Sequence, residues 1–186
     1  MPIRKYTVRL IVMGLCSIGI GPFAVGLVGI GGIPRMAEAA EECCKAGDTT
    51  KPTDLVKQVP KGGLHSPYPD YAKMAKDDPD LVKQFRLPGC NECHGGTGGG
   101  GICPALTQGV WFWGNTDDVL FRLITLGSVA LEKEGYTRLG YGSVHAPMPP
   151  MGEAIKDSDQ LWKIIAFIRS INPAGSNPPE KILPKE

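Results

Sequence analysis

The chain has 186 residues, of which 25 are Gly and 17 are Pro, and its formal net charge is +1. That length is one domain or at most two, and so many backbone punctuators argue against a plain helical bundle or a large regular sheet. A hydrophobic content of 42% excludes disorder along the whole length, while a charge near zero without a long basic run gives no support to nucleic-acid binding.

Residues 1–39 read as a secretory signal. Arg4, Lys5 and Arg9 form a basic start, residues 10–33 carry no charge, and Ala37-Glu38-Ala39 offers small residues where a signal peptidase reads. The uncharged stretch is also long enough to span a bilayer. Cleavage after Ala39, with a periplasmic location, therefore stands beside retention as a membrane anchor. Residues 40–186 hold 16 basic and 18 acidic residues, a net charge of −2.

Residues 40–77 are expected to form an N-terminal extension. No period of 2 or 3.6 runs through residues 40–70, which places that part on the surface. Residues 70–87 suggest two short helical pieces, the second capped by Asp78 ahead of Pro79 and stopped by Pro88-Gly89. Residues 95–101 hold six Gly and read as an irregular loop. A helix is expected over 116–127, with Thr116 as its cap, Asp117 and Asp118 at its positive end and Gly127 closing it. Residues 128–147 read as a long connection. The clearest helix spans 157–171: Asp157 caps it, Gln160 stands at the capping-box position, and Leu161, Trp162, Ile164, Ile165 and Ile168 form a wide apolar face. Asn172-Pro173 ends it, the main domain runs over 78–173, and 174–186 is a Pro-rich charged tail. With no strand and no repeat in view, the fold class is all-α: short helices and long loops.

The strongest chemical signal is Cys90-Asn91-Glu92-Cys93-His94. C-x-x-C-H is the attachment pattern of c-type haem, in which two thiols add to the vinyl groups and the adjacent imidazole reaches the iron. This composition yields about 0.003 such motifs by chance. A redox dithiol would follow a strand and open a helix, and a zinc site would need further ligands at matching spacing. One covalent haem c would also give a Gly/Pro-rich chain an apolar plate to pack around. His94 is then one axial ligand. Met148, in Pro147-Met148-Pro149-Pro150, is the expected second, because flanking prolines stiffen a loop holding a soft thioether. Met151, His145 and an open iron site are the alternatives.

From residue 78 to 172 the chain resembles the class I c-type cytochromes. The resemblance is carried by Cys90-x-x-Cys93-His94-Gly95, by Ile102-Cys103-Pro104-Ala105-Leu106, by the Met148-Pro149 loop and by the run from Leu161 to Ser170. It implies that the Pro104 carbonyl holds the Nδ1–H of His94 and that Phe167 packs the last helix near the haem edge. Residues 106–126, with Trp111-Phe112-Trp113-Gly114, resemble the cytochrome c-L group of methanol oxidation. That likeness implies a quinoprotein (PQQ) alcohol dehydrogenase as electron donor and a downstream cytochrome c as acceptor. Trp111 and Trp113 read as haem environment or as a partner-docking patch. Cys103 departs from the commoner pattern, which has Gly there.

The expected function is periplasmic single-electron transfer, without enzymatic chemistry. The alternatives are a peroxidase-like haem enzyme with an open site and a membrane-tethered haem subunit. With Cys90 and Cys93 holding haem, Cys43, Cys44 and Cys103 remain. Export favours a disulfide, and Cys44–Cys103 is expected slightly ahead of Cys43–Cys103, pinning the N-terminal arm to the main domain; a bond between adjacent Cys43 and Cys44 is the strained alternative.

Overall fold

Every regular element in the described residues, 44–139 and 146–172 of a computed structural model, is a helix. The expected signal segment 1–39, Cys43, His145 and the expected tail 174–186 lie outside these residues. In chain order the helices are α1 (Pro52–Gln58), α2 (Tyr71–Asp77), α3 (Leu81–Arg86), α4 (Cys90–His94), α5 (Asp117–Lys133) and α6 (Ser158–Ile171).

The last helix is the centre of the packing. Leu161, Trp162, Ile164 and Ile165 are fully buried, with Ile168 nearly so. Phe167 on a neighbouring face is buried too, because α2 and α3 pack on α6 as well as α5. Phe167 meets Phe85 of α3 with ring centroids 5.1 Å apart, and Trp162 meets Phe121 of α5 at 4.6 Å. The Asp157 carboxylate accepts from the Gln160 amide at 2.9 Å, as the cap requires. The Gln160 side chain reaches back one residue further than a capping box, accepting from the Lys156 amide.

Three expectations are corrected. Residues 44–70 are not wholly a surface arm: Leu55, Val56, Val59 and Leu64 enter the core. A buried ion pair draws them in. Arg122 donates to Asp118 (3.1 Å) and to the carbonyls of Val56 (3.0 Å) and Val59 (2.6 Å). Asp118 also accepts from the Leu64 amide and the Tyr136 hydroxyl. Asp118 is therefore an internal tie as well as a charge on the positive end of α5. Burial, then the bond to Asp118, pushes the Tyr136 phenol well above its usual range.

The second correction concerns α3, which starts at Leu81. Asp78 caps a turn instead, accepting from the Asp80 amide at 3.0 Å. Third, Cys44 is in a disulfide whereas Cys103 is a free thiol, so the expected Cys44–Cys103 and Cys43–Cys103 bridges are absent. The arm is held by other means. Asp159 of α6 accepts from the Gly47 amide (2.7 Å) and the Tyr68 hydroxyl (2.5 Å), and Ser158 donates twice to the Thr50 carbonyl.

Helix α5 is broken within itself. Thr116 caps it, accepting from the Val119 amide, but Gly127 has φ 76° and ψ 164°, outside the helical region. The chain resumes helical geometry to Lys133 because Leu131 is drawn into the interior. Gly127 thus closes one helical run, as its position suggested, and opens another that the sequence pattern concealed.

Candidate functional site

The break at Gly127 creates the seat for the Met148 loop. A kinked helix frees carbonyls and amides that need partners. Here Ile124 and Thr125 carbonyls accept from the amides of Met151 (2.9 Å) and Gly152 (3.1 Å). The Ser128 amide donates to the Met148 carbonyl, and the Ser128 hydroxyl accepts from the Met148 amide, both at 3.0 Å. A Cβ at position 127 would stand 2.7 Å from the Met148 oxygen and the Pro150 nitrogen, so only glycine admits the approach.

Met148 lines a cavity of about 480 Å³, inside the roughly 300–1,000 Å³ range of cofactor sites. His94 and Cys90 lie on its wall with Pro104, Trp111, Phe112 and Trp113. Phe85, Leu120, Ile124, Ile164 and Ile168 give it an apolar floor from α3, α5 and α6. Met151 does not reach the wall. It packs against the core cluster. Phe167 also stands behind the wall, against Phe85.

His94 ends the short helix α4 and is oriented from behind. Its Nδ1 lies 2.9 Å from the Pro104 carbonyl. A carbonyl can only accept, so Nδ1 carries the proton and Nε2 keeps the lone pair that a metal needs. The glycine loop makes this contact possible by folding back under α4. The Gly100 amide donates to the His94 carbonyl (2.8 Å), and the Leu106 amide to Gly98 (2.8 Å). Gly95 has φ 79°, and a Cβ there would stand 2.5 Å from the Gly100 oxygen.

The aromatic loop is held from α6. Asn172 donates to the Leu106 and Gln108 carbonyls, and the Trp111 indole donates to Leu106 at 3.0 Å. Arg169 donates to the Asn115 carbonyl and to Asp117 while its guanidinium lies over the Trp111 ring. Trp111 is buried and Trp113 half-buried, so both belong to the cavity wall more than to an exposed patch. His65 lies on an exposed loop away from it.

Two features were not legible in advance. Arg138 lies on the cavity wall, 4.8 Å above the Phe112 ring, and its Nε and Nη2 are buried without a hydrogen-bond partner. Buried guanidinium N–H groups are costly to leave unmatched, so this edge of the cavity offers donors to a hydrogen-bond acceptor. In the sequence, Arg138 sits in a segment with no period. The second feature is the cysteine arrangement. Cys90 is buried on the wall, and burial pushes its thiol up to about 11. Cys93 is absent from the wall, and its side chain neighbours that of the free thiol Cys103. Among the described residues no group of three or more His, Cys, Asp or Glu could hold a metal ion, so a zinc site at Cys90 and Cys93 finds no further ligands there. A strand ahead of the motif, which a redox dithiol would need, is also lacking among them.

No family model matches the chain, and neither does any curated protein or solved structure.

Proposed function

We propose that this chain is a single-haem c-type cytochrome of the class I type that carries electrons one at a time in the periplasm. The observation that carries the reading is one apolar cavity lined by Cys90 and His94 of the C-x-x-C-H motif on one element and Met148 on another. His94 and Met148 would be the axial ligands, and Cys90 and Cys93 the thioether attachment points. Arg138 supports the fit: its two unmatched nitrogens, Nε and Nη2, suit the carboxylates that a haem bears on one edge. When bound, the haem supplies the Fe(III)/Fe(II) couple, with a potential raised by thioether ligation.

The chain's own residues do the rest. The Pro104 carbonyl fixes the tautomer and direction of His94. The hydrogen bonds from α5 hold the Met148 loop in place, so that its thioether would be available to the iron and would disfavour enzymatic chemistry at an open site. Trp111, Phe85 and Ile164 exclude water. Half-exposed Val129 on the cavity wall and exposed Ile102 beside Cys103 offer apolar contact for a redox partner. The choice of a quinoprotein alcohol dehydrogenase as donor, with a downstream cytochrome c as acceptor, rests on the resemblance of residues 106–126. Export rests on the segment 1–39.

The test is spectroscopic. Acidified acetone should leave the haem on the denatured chain, and the oxidised protein should show the far-red sulfur–iron(III) band. Met148→Ala should abolish that band and admit cyanide or azide rapidly, while Met151→Ala should leave it in place. Extractable haem would refute covalent attachment. Loss of the band in Met151→Ala alone would transfer the ligand by three residues.

A further inference from the structure

Cys103 is the one described cysteine that neither the haem motif nor the Cys44 disulfide accounts for, and it has a specific neighbour. Its amide donates to the Cys93 carbonyl at 3.0 Å, and its side chain neighbours that of Cys93. The Gly101 amide in turn donates to the Cys103 carbonyl, closing the glycine loop around the pair. A backbone hydrogen bond between the two residues brings their chains together, and a disulfide needs Cα atoms only about 4.4–6.8 Å apart. Both are half-buried and open to small reagents, whereas Cys90 is buried on the cavity side. Cys93 therefore has two possible partners, Cys90 and Cys103, and the backbone bond sets it beside Cys103.

We propose that Cys93 and Cys103 form a reversible disulfide in the exported, haem-free chain, so that Cys103 holds one of the two attachment thiols in reserve. The role of the bond in haem loading rests on the cytochrome reading, but the bond itself does not. With glutathione disulfide as oxidant, its S–S bond breaks and the Cys93–Cys103 bond forms. The two cysteine protons leave on two glutathione thiols. Haem attachment adds a cysteine S–H across a vinyl C=C, with no net oxidation. A disulfide-bonded Cys93 has no S–H to add, so it waits for a dithiol reductant, which restores both thiols and becomes a disulfide itself. Once Cys93 is a thioether, Cys103 has lost its partner and remains a single free thiol beside the haem. Glycines between the two cysteines let the loop tolerate both states.

The test uses the full-length chain exported without a haem supply, equilibrated in glutathione buffers and mapped by non-reducing peptide mass spectrometry. The expected result is loss of the free Cys93 and Cys103 thiols together, a peptide linking them, and Cys90 still alkylated. Cys90→Ser should retain the link, and Cys103→Ser should move the oxidation to a Cys90–Cys93 peptide. In the haem-loaded chain Cys103 should alkylate as a free thiol. A Cys90–Cys93 bridge in the unaltered chain, with Cys103 alkylatable, overturns the proposal. So does a Cys103 found bridged to another cysteine after haem loading. The oxidised chain should lose covalent haem uptake until dithiothreitol is added. If the reduced chain takes up no covalent haem at all, the cytochrome reading fails while the peptide map still decides the disulfide.

Discussion

Replacing Gly127 with Ala tests the seating of the Met148 loop. At φ 76° and ψ 164° the backbone lies in a region occupied almost only by glycine, and an alanine there stores about 1–3 kcal/mol of strain. The new Cβ would also meet the Met148 oxygen at 2.7 Å, the Pro150 nitrogen at 2.7 Å and the Pro149 carbonyl carbon at 2.9 Å, all backbone. Ordinary contact begins near 3.4 Å, so the loop must withdraw. Withdrawal strains the four hydrogen bonds between residues 148–152 and α5, each worth about 1 kcal/mol. The expected cost is about 3–5 kcal/mol. Gly135→Ala is the control: its φ is 88°, but nothing lies within 4 Å of a new Cβ, so it should cost only about 1–2 kcal/mol. Guanidinium unfolding followed by far-ultraviolet circular dichroism gives both values. In the haem-loaded protein, Gly127→Ala should also weaken the sulfur–iron band while Gly135→Ala leaves it intact. Equal destabilisation by the two substitutions would refute the argument that close approach, and not backbone angle alone, makes Gly127 necessary.

Arg122→Leu leaves Asp118 buried without its partner and frees the Val56 and Val59 carbonyls; urea unfolding should show a loss of about 3–5 kcal/mol. The Asp159 carboxyl is pushed up by burial, but bonds from Lys163, Tyr68 and Gly47 and the Lys163 charge outweigh this and hold it below the ordinary carboxylate range. Its contribution is therefore complete above about pH 4 and lost as pH falls through the depressed folded value. Asp159→Asn should flatten the acid limb of a stability–pH curve measured by chemical denaturation, and an unchanged slope would count against this. Arg138→Gln should lower the reduction potential of the haem-loaded chain in a spectroelectrochemical titration, because removing a cation near the iron favours the more positive Fe(III) form. A potential equal to that of the unaltered protein would show that Arg138 does not face the haem carboxylates.

Local chemistry determined what was legible in the residues alone. The C-x-x-C-H spacing, the caps at Thr116 and Asp157, the stop at Asn172 and the apolar face of α6 each depend on neighbours a few positions away. Placement of Met148, not Met151, on the cavity wall is a long-range result, set by bonds to a helix that breaks at Gly127. The inward course of residues 44–70 was hidden because its cause is a charged pair on α5, and Asp118 reads from sequence as a helix-terminal charge. Arg138 gave no periodic signal, since its position depends on Phe112 and the cavity alone. That Cys103 lies beside Cys93, and is not bridged to the N-terminal arm, follows from how the glycine loop folds back under α4. A residue's chemistry is written in its side chain and near neighbours, whereas its partner is chosen by the path of the whole chain, and that path emerges only when distant segments share one core.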